Sequence, residues 1–224
     1  MDNTNLYKSW KILCWNVRGL NSKKKWDCIR DKISESHCDV IFLQETKKEN
    51  FDLQFIRKFC PPSFDCFEYL PSVGASGGVI TIWKSHIFTG QLIYNNEFRI
   101  SVEFSSNLNA CDWVLTNVYG PCTTSGKILF VNWLKNIDML EEVDWLLHGD
   151  FNLLRRPSDR NKSGGDVNEM FSFSEAISAL GVVELPLLGR KFTWSNKQLS
   201  PLLETLDWLF TSNSWTSFFF LEQR

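Results

Sequence analysis

Residues 143–152 read VDWLLHGDFN, an apolar run that ends in a glycine, a carboxylate and a carboxamide. The run Val143–Leu147 is typical of a short buried strand. Gly149 and the polar residues that follow it indicate a turn. We therefore predict a strand that delivers Asp150 and Asn152 at its end.

The same form recurs along the chain, where short apolar runs alternate with helical patterns and polar turns. We predict strands at residues 11–17, 40–43, 64–70, 79–83, 88–94, 99–104, 113–118, 143–147, 191–194 and 206–210. We predict a helix capped by Ser22 and others over residues 51–59, 127–140 and 167–180. The sequence has no repeat or linker, so we expect one α/β domain over residues 1–224, with two packed sheets flanked by helices.

Composition excludes several classes of protein. The 224 residues carry 24 basic and 26 acidic side chains, a net charge of −2 that argues against a polybasic nucleic-acid binder. No apolar run reaches the 18 residues of a membrane span, so we expect no membrane association. The seven cysteines form no C-x-x-C pair, which favours a reducing compartment. We expect a nuclear or cytoplasmic protein that is not secreted.

Polar side chains stand where the predicted strands end. They are Asn16, Glu45, Tyr119, Asp150 and Asn152, and Asp207 lies inside the apolar run LETLDWLF. Each one alone is more typical of a cap or a turn, but strand ends meet at the rim of a sheet, where loops carry chemistry. Carboxylates and carboxamides gathered there would suit Mg²⁺, which takes few protein ligands and keeps waters for a phosphate substrate.

Four ordered motifs resemble the endonuclease/exonuclease/phosphatase superfamily. They are CWNVRGLN (14–21), LQET (43–46), NVYGP (117–121) and GDFN (149–152). The run LGRKFTWSN (188–196), followed by LDW (206–208), looks like the apurinic-endonuclease-like domain of plant non-LTR (LINE-type) retrotransposon proteins. The resemblance covers about residues 10–216. It implies a four-layer α/β sandwich of the DNase I-like type and metal-dependent nicking of DNA.

The resemblance also implies a role for each polar residue. Glu45 would be the ligand of Mg²⁺ (Mn²⁺ is the alternative), with Asn16 beside it. Asp150 would orient or deprotonate the attacking water, and Asn152 and Tyr119 would contact the scissile phosphate. Asp207 would hold a catalytic histidine in its correct tautomer.

The terminal Ser-Asp-His motif of the superfamily is absent from this sequence. We therefore expect a domain that is truncated at its C-terminus, lacks its final strand and is a poor nuclease. His148 directly precedes Gly149-Asp150 at a position where relatives have strand residues, so we expect it to be partly buried and structural.

Three further residues are candidates for substrate binding. Arg155 and Arg156 follow the GDFN segment and could contact phosphates. Trp194 would either flank the DNA or pack beneath the catalytic residues, and the sequence does not decide between the two.

Three functions remain open from the sequence. The first is a Mg²⁺-dependent, DNA-nicking endonuclease domain. The second is a catalytically silent retroelement remnant or nucleic-acid-binding domain, and the third is a phosphatase of phosphoinositides or other small molecules. DNA is the expected partner, no protein partner can be inferred, and we expect a monomer.

Overall fold

The computed structural model describes residues 10–74, 76–109, 111–137 and 143–218. The chain divides into two compact units, Met1–Trp113 and Val114–Arg224. The single domain expected over residues 1–224 therefore stays a prediction, and each unit is described by itself.

The described residues form twelve strands, five α-helices and one short 3-10 helix at Pro157–Asp159. The strands are β1 (Ile12–Asn16), β2 (Val40–Gln44), β3 (Cys66–Val73), β4 (Ser76–Trp83), β5 (Phe88–Asn96), β6 (Arg99–Ser106), β7 (Asp112–Tyr119), β8 (Trp145–Asp150), β9 (Val183–Glu184), β10 (Trp194–Ser195), β11 (Leu203–Glu204) and β12 (Asp207–Thr211). The helices are α1 (Lys23–Ser36), α2 (Leu53–Ile56), α3 (Thr124–Lys135), α4 (Val167–Ala179) and α5 (Asn213–Phe218).

The strands form two large mixed sheets and one small one. The first sheet has the order β1-β2-β4-β3, in which β1 and β2 are parallel and the other neighbours are antiparallel. The second has the order β5-β6-β7-β8-β12-β9, in which β7 and β8 are parallel and β12 is antiparallel to β8. Strands β10 and β11 form a separate pair. Two mixed sheets flanked by helices confirm the predicted α/β, DNase I-like fold class.

Helix α1 begins where the sequence predicted. The side chain of Ser22 accepts a hydrogen bond from the backbone of Lys25, so it satisfies one of the free amides of the first turn. Helix α1 buries Ile29 and Ile33 in the apolar core of the first unit.

The helix predicted over residues 51–59 is only one turn long. Phe51, Phe55 and Phe59 pack edge to face instead, with ring centroids 5.8 Å and 6.0 Å apart. Their helical spacing therefore reflects an aromatic cluster and not a continuous helix.

The second unit is built on an aromatic core beneath α3 and α4. Its members are Phe130, Phe151, Phe173, Trp208 and Phe210, with neighbouring ring centroids 5.6–6.2 Å apart. Because side chains alternate along a strand, Trp208 and Phe210 of β12 face this core while Asp207 and Leu209 face the other way.

Several boundaries differ from the prediction. The strand predicted at residues 143–147 is β8, which begins two residues later and ends three residues later, at Asp150, because Asp150 pairs with both Tyr119 and Asp207 in the sheet. The strand predicted at residues 191–194 is the short β10. The prediction had no β9, β11 or α5, and residues 138–140 of the helix predicted at 127–140 lie outside the described residues.

Among the described residues, no helix combines the length and apolar character needed to cross a bilayer.

Candidate functional site

In the first unit, Asn16 and Glu45 meet where two parallel strands end. Asn16 is the last residue of β1, and Glu45 directly follows β2, whose last residue Gln44 lies opposite Asn16. The Nδ2 atom of Asn16 donates a 2.9 Å hydrogen bond to Oε1 of Glu45. The structure thus brings together the two residues that the sequence assigned to a metal.

The loops after β1 and β2 are fastened to each other by backbone hydrogen bonds. The amide of Gly19 donates to the carbonyl of Glu45 at 2.7 Å, and the amide of Leu20 donates to that of Thr46 at 3.0 Å. Glu45 itself lies in the left-handed region at φ 49°. A non-glycine residue there costs about 1–2 kcal/mol, so the surrounding hydrogen bonds hold this carboxylate in a strained position.

The donor set of this pair fits a hard divalent cation. One carboxylate and one carboxamide supply oxygen and orientation, and Mg²⁺ needs only one or two carboxylates because it keeps several waters. The Oδ1 atom of Asn16 accepts a hydrogen bond from the backbone amide of Arg18 at 3.2 Å, while its Nδ2 atom donates to Glu45. In this arrangement Asn16 orients the carboxylate of Glu45. No three His, Cys, Asp or Glu side chains of the described residues cluster as metal ligands. Metal binding by Glu45 and Asn16 stays a prediction.

In the second unit, three predicted catalytic residues lie in one row across neighbouring strands. Tyr119 of β7 lies opposite Asp150 of β8, and Asp150 lies opposite Asp207 of β12. Directly paired residues point to the same face of a sheet, so all three side chains share the face opposite the aromatic core. Asp150 is buried at 4% exposure, whereas Tyr119 and Asp207 are partly exposed.

Asn152 is tied to the same row by two hydrogen bonds. Its backbone amide donates to Oδ1 of Asp150 at 3.0 Å, and its Nδ2 atom donates to the carbonyl of Gly120 at 2.7 Å. Asn152 has φ 52°, a conformation that asparagine tolerates better than most residues. The chain therefore turns at Asn152 while keeping one oxygen of Asp150 fixed.

Thr193 is a supporting residue that the sequence reasoning missed. Its Oγ1 atom accepts the backbone amides of Leu206 and Asp207, at 3.0 Å and 3.1 Å. Thr193 thereby fixes the start of β12, which carries Asp207. The sequence feature that could have indicated this role is the KFTWSN run that contains Thr193. The resemblance includes this run but assigns no role to the Thr193 hydroxyl.

Arg155 and Arg156 are engaged within the protein. Both guanidinium groups form ion pairs with Glu184, and Arg156 is also 3.8 Å from Asp159. Burial lowers the pKa of Arg155, whereas for Arg156 the hydrogen bond and charge of Glu184 outweigh burial and raise the pKa. The two arginines connect the loop after Asn152 to β9, and their contact with substrate stays a prediction.

Trp194 lies on β10 opposite Glu204 of β11 and is partly exposed. Both alternatives for it, flanking DNA or packing beneath the catalytic residues, stay open.

The profile of the Endonuclease/Exonuclease/phosphatase family matches residues 13–223. The chain belongs to this family. A comparison with curated protein sequences found no match.

Solved structures of three endonucleases share the fold at low sequence identity. The AP endonuclease LMAP from Leishmania major has 18% identity and a TM-score of 0.71, over 93% of this chain and 80% of that one. The endonuclease domain of TRAS1, a telomere-specific non-LTR retrotransposon, has 10% identity and a TM-score of 0.67, over 93% and 88%. An AP endonuclease from Archaeoglobus fulgidus has 15% identity and a TM-score of 0.66, over 92% and 88%.

Proposed function

We propose that this chain is a retrotransposon-type endonuclease domain that hydrolyses DNA phosphodiesters with Mg²⁺ or Mn²⁺. One observation carries the proposal: in each unit, a carboxylate at or directly after the end of a strand has one oxygen held by a hydrogen bond from an asparagine. These are Glu45 with Asn16 and Asp150 with Asn152. Family membership and the likeness to AP endonucleases and to the TRAS1 domain support it.

The proposed roles follow from the chemistry of an anionic substrate. A bound divalent cation offsets the repulsion between phosphodiester and hydroxide and stabilises the charge of the transition state. Glu45 holds that cation, and Asn16 keeps the Glu45 carboxylate in place. Asp150 orients or deprotonates the attacking water, a role that typically contributes about 10²–10⁴ in rate.

Asn152 and Tyr119 contact the phosphate in this proposal. Asn152 presents a neutral donor where another carboxylate would repel the anionic substrate. In the resemblance Asp207 would hold a catalytic histidine, and in this chain it contributes its negative charge on the sheet face that carries Asp150. No histidine follows Asp207 among these 224 residues, so we expect their nicking activity to be slow.

Nicking of supercoiled plasmid by the 224-residue chain tests the proposal. We expect nicking with Mg²⁺ or Mn²⁺, none with EDTA, and loss in Glu45→Gln. The control is Glu49→Gln, which removes an exposed carboxylate from the same loop. Equal nicking by wild type and Glu45→Gln would contradict the assignment of the metal.

Two parallel assays separate the other candidate functions. Binding of a labelled duplex without any nicking would favour a silent nucleic-acid-binding domain. Release of inorganic phosphate from inositol phosphates, without nicking, would favour a phosphatase.

A further inference from the structure

His148 lies on the same sheet face as the proposed catalytic row. It is paired with Asn117 of β7 on one side and with Leu209 of β12 on the other. The row of Tyr119, Asp150 and Asp207 lies two residues further along the same strands. Because residues two apart on a strand share a face, the imidazole is a diagonal neighbour of Asp207.

The ring of His148 is anchored in a defined orientation. Its Nδ1 atom is 2.7 Å from the backbone carbonyl of Trp208. A carbonyl oxygen can only accept, so Nδ1 carries the proton, and the neutral ring keeps its lone pair on Nε2. A further proton would therefore be taken up at Nε2.

The charged groups around the imidazole act in opposite directions. Burial lowers the pKa of His148 below its ordinary value, the negative charge of Asp207 raises it, and the positive charge of Arg190 lowers it. Asp150, which lies opposite Asp207, is a second acidic residue on this face. At neutral pH the ring is therefore neutral, and it becomes a cation beside Asp207 only in acid.

We propose that His148 is a positioning residue that acts through Asp207. Its imidazole determines whether the Asp207 carboxylate keeps its negative charge unpaired or forms an ion pair. A neutral His148 leaves Asp207 as a free negative charge on the catalytic face. A protonated His148 pairs with Asp207 and removes that charge, which gives the reaction a lower pH limit. This role rests on the proposed function, but the pairing itself can be tested without it.

The pairing is tested by NMR titration of the full chain. The chain has three histidines, so the His148 signal is assigned by its loss in His148→Gln. We expect Asp207→Asn to lower the pKa of His148, since the negative charge that raises it is gone. The control Asp112→Asn, at the exposed start of β7, should leave it unchanged. A His148 signal with the same midpoint in wild type and Asp207→Asn, or with no titration in either, overturns the proposal.

The consequence for catalysis is tested by the pH profile of nicking. We expect a wild-type rate that falls about tenfold for each pH unit below the lower limit, as a single protonation requires. In His148→Gln that limit moves to lower pH, and in His86→Gln it stays. An unmoved limit in a folded His148→Gln overturns the role in catalysis. If wild type does not nick DNA at all, the proposed function fails, and the NMR titration still decides whether His148 and Asp207 are coupled.

Discussion

The Asn16–Glu45 pair and the Asp150–Asn152 pair combine the same two kinds of side chain in opposite ways. In the first, the carboxamide of Asn16 holds the carboxylate directly. In the second, a backbone amide holds the carboxylate, and the carboxamide of Asn152 is bound to a carbonyl. In the first pair the carboxylate residue is the one in the left-handed conformation, and in the second it is the asparagine.

This difference places backbone strain on different residues. Glu45 is held in a costly conformation by its neighbours, as is common for a residue kept for function and not for stability. Asp150 lies in regular strand geometry, and the turn is left to Asn152, which tolerates it. In the first unit, therefore, hydrogen bonds hold Glu45 in a strained backbone conformation. In the second unit, pairing with the neighbouring strands places Asp150 without such strain.

The largest expected effect is the loss of nicking rate when the charge of Asp150 is removed. Asp150→Asn keeps the shape and an oxygen that can accept the amide of Asn152, but it loses the charge. We expect the single-turnover nicking rate to fall about 10²–10⁴-fold, with the fold intact. Asp112→Asn serves as the control. A variant that nicks as fast as wild type would remove Asp150 from the proposed mechanism.

The next effect compares two glycines, Gly149 beside Asp150 in β8 and Gly78 of β4, whose carbonyl accepts the amide of Thr46 in the loop after β2. A Cβ at Gly149 would lie 1.9 Å from the carbonyl oxygen of Val118, whereas a Cβ at Gly78 would lie 2.4 Å from the hydroxyl of Thr46. A side-chain hydroxyl can turn away and a strand backbone cannot. We expect Gly149→Ala to lower the free energy of unfolding by about 3 kcal/mol or more, measured in urea.

Gly78→Ala should cost less, because its φ of +82° strains the backbone while its close contact can move. Equal losses of unfolding free energy in Gly149→Ala and Gly78→Ala would contradict the view that strand pairing leaves the backbone at Gly149 less able to adjust than that at Gly78.

A smaller effect is the change in thermal stability on metal binding at the Asn16–Glu45 pair. A metal present at about 100 times its Kd stabilises the folded state by about 2.7 kcal/mol. We expect Mg²⁺ or Mn²⁺ to raise the Tm of wild type and of Glu49→Gln, but not that of Glu45→Gln. The same increase in Glu45→Gln would place the metal elsewhere.

The smallest effect is the change in stability when the residue in the left-handed conformation is exchanged. In the absence of metal, Glu45→Asn should stabilise the protein by up to about 1 kcal/mol, because asparagine tolerates the left-handed region. Asn152→Glu should do the reverse and destabilise by about 1–2 kcal/mol. Urea denaturation of both variants measures the pair of effects, and a loss of stability in Glu45→Asn would mean that its hydrogen bond with Asn16 outweighs the strain.

Much of the fold was predictable because its signals are local. Ser22 caps α1 as its position before a helical pattern indicated, and Val40–Leu43 forms the first four residues of the buried strand β2. Strands β9 and β11 have two residues each and carry no periodic pattern, so no local signal could predict them.

Candidate residues were harder to place than strands. The sequence placed Asp150 after its strand, but the structure places it inside β8, because pairing with Tyr119 and Asp207 extends the sheet. The ion pairs of Arg155 and Arg156 with Glu184 join residues almost thirty positions apart, which no local pattern encodes. The support that Thr193 gives to Asp207 was missed for the same reason.

By itself the sequence determined the alternation of strands and helices, the family resemblance, and the polar residues that stand at strand ends. Periodicity, caps and motifs are properties of neighbouring residues, so they are readable without coordinates. Only the tertiary structure decided which oxygen each asparagine holds, that Glu45 carries the strain, and that His148 lies diagonal to Asp207. Those relations depend on the register between strands that are distant in sequence, and register is fixed when the sheets and their cores pack together.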